Sequence, residues 1–315
     1  MGGILQACVV SLVIAAGLGG PSVPLAWGQA SEDALRDEIT SKLSAGQTDA
    51  AVEQARLAVK QYPRSSPLYQ LLGAALFKQG GNEEARKAFG RAIELDHGVP
   101  QNYYDLALVN LSDKRYADAA TALETFLRLE PENAQAHLLL GRAYHNLNRT
   151  GPAFLQFQRA LGLAPTLPLL HYHLGYAYQS QGDSKAALAE FLKEIANNPQ
   201  FYDAYYLAGD INLNQGDLER AEELFRKGIS VKPEAYQAHY GLARVMLQSK
   251  RTEDAVSELK QALEVAPSKG EIHYALARAY QRMGKRDEAQ REFQVCAALH
   301  AQSQKTSSGI AGQRP

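Results

Sequence analysis

The chain has 315 residues, with 33 Lys and Arg against 34 Asp and Glu, 45% hydrophobic and 21% charged residues, 13 prolines and two cysteines. Near-zero net charge argues against a surface built to neutralise nucleic-acid or membrane phosphates, and the apolar fraction is too high for compositional disorder. Two cysteines make neither a disulfide framework nor a Cys-rich zinc site, so the remaining class is a folded protein of about two domains or one long array.

The first charged residue after the start is Glu32. Before it, Val9 to Leu18 form a short apolar core, followed by Gly19, Gly20, Pro21 and Pro24, and then by Gly28-Gln29-Ala30. This order predicts a secretory signal peptide over residues 1–30, cleaved after Ala30, although its n-region carries no Lys or Arg. Leu5-Gln6-Ala7-Cys8 has a lipobox-like composition but precedes the apolar core, so a lipoprotein or membrane-anchored form is the weaker reading. The expected location is periplasmic or secreted. Removal of Cys8 leaves Cys296 as the single cysteine.

From Glu32 onward one period governs the chain. Alanine recurs every 34 residues at Ala51, Ala85, Ala119, Ala153, Ala187, Ala221, Ala255 and Ala289. A Phe or Leu follows four residues later at Phe89, Leu123, Phe157, Phe191, Phe225, Leu259 and Phe293, and a Gly or Ala precedes by twelve. Proline repeats with the same step, and Gly46, Gly80, Gly182, Gly216 and Gly284 punctuate the middle of their units. The i, i+1, i+4 pattern in Leu140-Gly141-Tyr144 and Leu174-Gly175-Tyr178 marks one helical face, and the Ala and Phe positions mark a second helix. Each unit is therefore expected to be a helix hairpin ended by proline. Eight units follow without insertion: 32–65, 66–99, 100–133, 134–167, 168–201, 202–235, 236–269 and 270–303, leaving 304–315 as a disordered tail.

These residues closely resemble the tetratricopeptide repeat family, the units from Ala134 and Pro168 carrying all of its motif except the usual tryptophan. The resemblance implies an all-α superhelix of stacked antiparallel hairpins whose first helices line a concave groove. The first unit departs most, with Glu38 and Ile39 at the Leu-Gly positions and Ala55 at the aromatic one. The last unit is expected to leave an open face including Ile272, Ala279 and Cys296, a route to self-association through the C-terminal repeat.

Mapping the family's groove onto the chain gives two columns. One contains Tyr172, Tyr206, Tyr240 and Tyr274; the other, one turn later, contains Arg142, Tyr176, Arg244 and Arg278. Tyr and Arg dominate binding energy at many interfaces, so these eight are the expected partner-binding residues. Arg36, Gln70 and Tyr104 do not reproduce the two-carboxylate clamp that some family members carry. His137, His171, His239 and His273 share the tryptophan position, where packing is a better account than a metal site. No nucleophile elbow, phosphate loop or dinucleotide fingerprint occurs, and no cofactor is expected.

The expected function is a non-catalytic scaffold that holds a peptide or helix of a protein partner in an envelope assembly or secretion complex. Nucleic acid is not an expected partner, and membrane contact is expected only through an associated complex. A carbohydrate- or peptidoglycan-associated binder is the alternative, followed by a regulatory subunit of a separately encoded enzyme.

Overall fold

A computed structural model describes residues 30–311, and side chains through Gln302. The expected targeting segment up to Gln29, with Cys8, lies outside the described residues. Among the described residues there are sixteen α-helices and no strand. They fall into two compact units, which divide between Leu167 and Pro168.

The first unit contains α1 (Glu32–Ser44), α2 (Thr48–Gln61), α3 (Ser66–Gln79), α4 (Asn82–Leu95), α5 (Pro100–Ser112), α6 (Tyr116–Leu129), α7 (Ala134–Asn146) and α8 (Thr150–Leu163). The second contains α9 (Leu170–Ser180), α10 (Ser184–Asn197), α11 (Tyr202–Gln215), α12 (Leu218–Val231), α13 (Tyr236–Gln248), α14 (Thr252–Val265), α15 (Gly270–Arg282) and α16 (Arg286–Ala311). Each 34-residue unit holds one pair.

The helices start and stop where local chemistry requires. Ser65, Asn133, Asp183 and Asp217 accept a backbone N–H from the first turn of α3, α7, α10 and α12, satisfying one of the donors a helix start leaves unpaired. The turn within each hairpin needs one left-handed residue. Gly46, Gly80, Gly182, Gly216 and Gly284 supply it, and Lys114, Asn148 and Lys250 adopt the same positive φ at the remaining three positions of that 34-residue column. The turn geometry is thus common to all eight hairpins even where glycine is missing.

Hairpins close on a glycine–phenylalanine contact. A Cβ built on Gly141 would lie 2.5 Å from Phe157, and on Gly175 2.7 Å from Phe191. The aromatic ring therefore sits against the glycine of its own hairpin. Phe225 is held from both sides, by Gly209 of its own hairpin and Gly241 of the next. The first hairpin reaches the same density by exchange: Ile39 replaces the glycine, Ala55 replaces the aromatic, and both are fully buried. Bulk has moved from the second helix to the first, so the departure from the motif is a volume-conserving swap.

One helix start is fixed by a tertiary contact, and two expectations change. α9 begins at Leu170 because Leu169 takes a left-handed φ, and the buried Glu194 of α10 accepts the backbone N–H groups of Leu169 at 2.9 Å and Tyr172 at 3.3 Å. Ile272 and Ala279 are fully buried, so they do not form an open end; α14 and α16 pack on α15 and cover them. Residues 304–311, expected as tail, continue α16 as helix. The run from Ala297 to Ser308 holds no proline or glycine to stop it.

Candidate functional site

In the second unit the first helices of the hairpins carry most of the expected groove residues. Tyr172 and Tyr176 lie one turn apart on α9, ring centroids 5.8 Å apart, and Tyr172 also packs on Phe191 at 6.1 Å and edge-on to Phe201 at 5.0 Å. Tyr206 on α11 stacks with Tyr202 at 6.4 Å and packs on Phe225 at 6.3 Å. Tyr274 on α15 meets Phe293 edge-on at 5.7 Å. Tyr172, Tyr206 and Tyr274 are therefore each seated on the aromatic of their hairpin's own second helix, a position that Leu259 holds in the hairpin of Tyr240. The tyrosine column is part core and part surface.

Exposure separates its members. Tyr172, Tyr206 and Tyr240 are half-buried, whereas Tyr176 is 45% exposed and Tyr274 is 53% exposed. Burial raises the Tyr206 and Tyr240 hydroxyls above the usual phenol range, the Asp210 carboxylate adding to the effect at both. These phenols stay protonated and can donate.

The arginines also differ. Arg244 on α13 donates Nη1 to Asp210 Oδ1 on α11 at 2.7 Å and Nη2 to Asn214 at 3.3 Å, and its guanidinium lies 6.0 Å from the Tyr240 ring centre. It is pinned by an ion pair between consecutive hairpins. Arg278 is exposed, and its hydrogen bond goes to Gln281 of its own helix at 3.4 Å. Arg282, one turn on, donates to the Leu247 carbonyl at the end of α13 at 2.9 Å. Arg142 stands on α7 in the first unit, half-buried. It belongs to a separate compact unit and is not grouped with the other seven.

The first unit's counterpart face is less aromatic. Leu138 occupies the tyrosine column but is 2% exposed and belongs to the core. Asp105 on α5 is buried and accepts from Gln101 at 2.7 Å and from Gln70 of α3 at 3.2 Å. Loss of hydration pushes its carboxyl up to about 6, against the pull of the two amides.

The histidine column has a use that packing alone does not describe. His171, His239 and His273 present Nδ1 to Glu190, Glu258 and Glu292, nineteen residues on, at 2.6–2.7 Å. At His239 and His273 the other ring nitrogen meets the carbonyl of Pro233 or Pro267 at 2.9 Å. His137 has the same two contacts, with Gln156 in place of the glutamate. These are clasps joining the two helices of a hairpin, and at His137, His239 and His273 also the loop before it, each on its own partners. Among the described residues no three His, Cys, Asp or Glu side chains converge as metal ligands. The signal for the clasps was present as Glu or Gln recurring nineteen residues after each His.

Comparison with known proteins agrees with this architecture. A tetratricopeptide repeat model matches residues 36–103, 71–123, 104–168 and 172–230, and a second matches 212–267 and 246–304. The chain is 28% identical over 128 residues to anaphase-promoting complex subunit 7 of Arabidopsis thaliana, covering 40% of this chain and 23% of that protein. It is 31% identical over 120 residues to BBSome complex member BBS4 of Xenopus tropicalis, covering 38% and 23%. The matched stretch is thus under a quarter of either relative's length. Among solved structures, a tetratricopeptide repeat protein from Parabacteroides merdae superposes with a TM-score of 0.60 at 18% identity, covering 79% of this chain and 98% of that one. The Cut9–Hcn1 hetero-tetramer also gives 0.60, at 19% identity, covering 78% and 49%. These structural likenesses concern the fold.

Proposed function

This chain belongs to the tetratricopeptide repeat family, and on that premise we propose that it is a non-catalytic interaction protein that holds a peptide or helix of a protein partner on the first-helix face of its second unit. The observation that carries the reading is the placement of Tyr176, Tyr206, Tyr240, Tyr274, Arg244 and Arg278 on first helices, with Tyr176 and Tyr274 about half exposed on rigid, packed supports. Rings fixed from behind lose little entropy on binding, and a protonated phenol keeps a donor for the ligand backbone. The names of two relatives, an anaphase-promoting complex subunit and a BBSome complex member, support a role within an assembly.

The location that goes with this reading is periplasmic or secreted, supported by the apolar stretch Val9–Leu18 and the small residues Gly28 and Ala30. The partner would then be part of an envelope assembly or secretion complex. Self-association through α15 and α16 loses the support of Ile272 and Ala279, which are buried.

The test immobilises the intact chain and a Tyr206→Ala plus Tyr240→Ala variant, both shown to be helical, in an extract of the source cells. Defined proteins retained by the wild type and lost on the variant support the reading. Equal retention on both, or retention of glycan alone, contradicts it.

A further inference from the structure

We propose that the outer face of the last hairpin, carried by α16, takes an α-helix of a partner protein that sets a glycine or alanine against Phe293 and an acidic side chain against Arg286. This surface is separate from the first-helix face and does not depend on it.

Phe293 is unlike its counterparts. Phe225 and Leu259, at the same place two and one hairpins earlier, are fully buried, because the next first helix packs on each of their helices. At Phe225 that neighbour presents Gly241, whose Cβ, if built, would lie 2.5 Å from the ring. Phe293 keeps its edge-on contact with Tyr274 of its own hairpin but is only half-buried. An open cavity of about 670 Å³ lies against it, lined by Gln281, Gly284, Arg286, Ala289, Phe293 and Ala297 among others. Ala297 is exposed, whereas Ile229 and Leu263, its equivalents, pack into the core. From Arg286 to Ala297 this stripe is about 17 Å long, three turns of helix.

The described chain does not turn back over the stripe. α14 stops at Val265 and a short loop leads into α15, whereas α16 passes the equivalent Leu299 and runs on as helix to Ala311. The internal interface between a second helix and the next first helix therefore continues to this face without its second member. A small residue is required opposite Phe293 for the reason Gly241 is required at Phe225: a larger side chain meets the ring.

Two internal junctions show what meets the start of a second helix. Asn82 and Arg86 on α4 donate to Asp113, the residue after α5, and Asn82 also donates to Ser112 at 3.1 Å. Glu222 on α12 accepts from Arg251, just beyond α13, at 3.2 Å. In both, the C-terminal end of the next first helix answers a charge near the start of the second. Arg286 stands in Asn82's place and Gln290 in Arg86's. Arg286 is exposed, and among the described residues its side chain makes no hydrogen bond or ion pair. An acid in the place of Asp113 supplies the missing partner, and the carbonyl end of the docked helix adds to the attraction. In the register of α13 that place is Ser249, eight residues after Gly241 and so about two turns along the same side.

The experiment measures fluorescence anisotropy of fluorescein-labelled peptides with the intact protein. The reference probe has the α13 sequence Tyr236–Gln248 followed by aspartate. A second probe ends in lysine instead, and a third keeps the aspartate but has leucine at the position of Gly241. The aspartate probe is expected to bind about tenfold tighter than either. Arg286→Glu is expected to reverse the order of the aspartate and lysine probes. Ala297→Trp, which fills the seat, is expected to weaken the aspartate probe about tenfold or more, while Leu192→Trp on α10 leaves it unchanged. Circular dichroism checks that each variant is folded, and Arg286 and Ala297 are exposed enough for either change to leave the core alone.

Equal affinity for the three probes, or none for any of them, overturns the proposal. So does an Ala297→Trp variant that binds like wild type, or an Arg286→Glu variant that keeps the preference for aspartate. A wild-type dimer that Ala297→Trp dissociates and the aspartate probe does not compete for identifies a second copy as the occupant, which also overturns it.

Discussion

His239 of α13 holds Glu258 of α14 at 2.7 Å through Nδ1, while its Nε2 lies 2.9 Å from the carbonyl of Pro233. Both partners are acceptors. A neutral imidazole has one N–H and can satisfy only one of them, so this geometry asks for the imidazolium form. The hydrogen bond to Glu258 holds the His239 ring above the usual histidine range, burial opposes it, and the Pro233 carbonyl adds to the rise.

A pH dependence of stability follows. A histidine raised in the folded state contributes stability that is fully present below its unfolded value near 6.5 and is lost as pH rises through the folded value. Chemical denaturation of the intact protein is therefore expected to show the second unit more stable at pH 6 than at pH 8.5. Glu258→Gln should cost about 1–2 kcal/mol at pH 6 and reduce that slope, because a hydrogen bond between charged groups becomes one to an amide. A slope unchanged by Glu258→Gln would show that this clasp does not titrate with folding.

Asp105 acts in the first unit with the same sign for a different reason. Its carboxyl is pushed up to about 6 by burial, so ionisation is easier in the unfolded chain. Stability from this group is highest when it is protonated and declines as pH rises from about 4 through about 6. Asp105→Asn keeps an acceptor for Gln101 or Gln70 and removes the buried charge. It is expected to raise stability by about 2 kcal/mol at pH 7.5 and to change little at pH 4, read from urea unfolding at the two pH values. A loss of stability at pH 7.5 would mean the carboxylate is needed by its two amides.

Ile39 and Ala55 make a third test, of packing. If bulk has been exchanged between the helices of the first hairpin, Ala55→Phe alone overfills the space and Ile39→Gly alone empties it, each costing about 1–4 kcal/mol. The double substitution restores the glycine–aromatic pair of the other hairpins and is expected to be milder than the sum by more than 1 kcal/mol. Additive costs in the double-mutant cycle would show that the two sites are independent.

Much of the fold was readable because a 34-residue step repeats without insertion, and a helix hairpin needs a small residue, an aromatic and a turn at fixed offsets. Gly141 with Phe157 is such a pair. What escaped the sequence depends on geometry between helices, within a repeat or across repeats. Glu194 reads as a charged helix residue until its carboxylate is seen on the amides of Leu169 and Tyr172. Ile272 and Ala279 read as an open end until α14 and α16 cover them. Arg244 reads as a free grip, yet Asp210 holds it. The columns themselves were legible. Which of their members rest in the core and which face outward was not, since Tyr206 and Tyr274 share a position and differ in exposure through what packs around them.

The central claim is that a partner lies on the first-helix face of the second unit. Its most direct test places a photo-crosslinking benzoylphenylalanine at position 274 on α15, or at position 192 on the second helix α10, where Leu192 is also exposed. Each variant is then irradiated in the source cells. The account predicts that position 274 crosslinks a defined protein and position 192 does not. Crosslinking from 192 with none from 274 would contradict it.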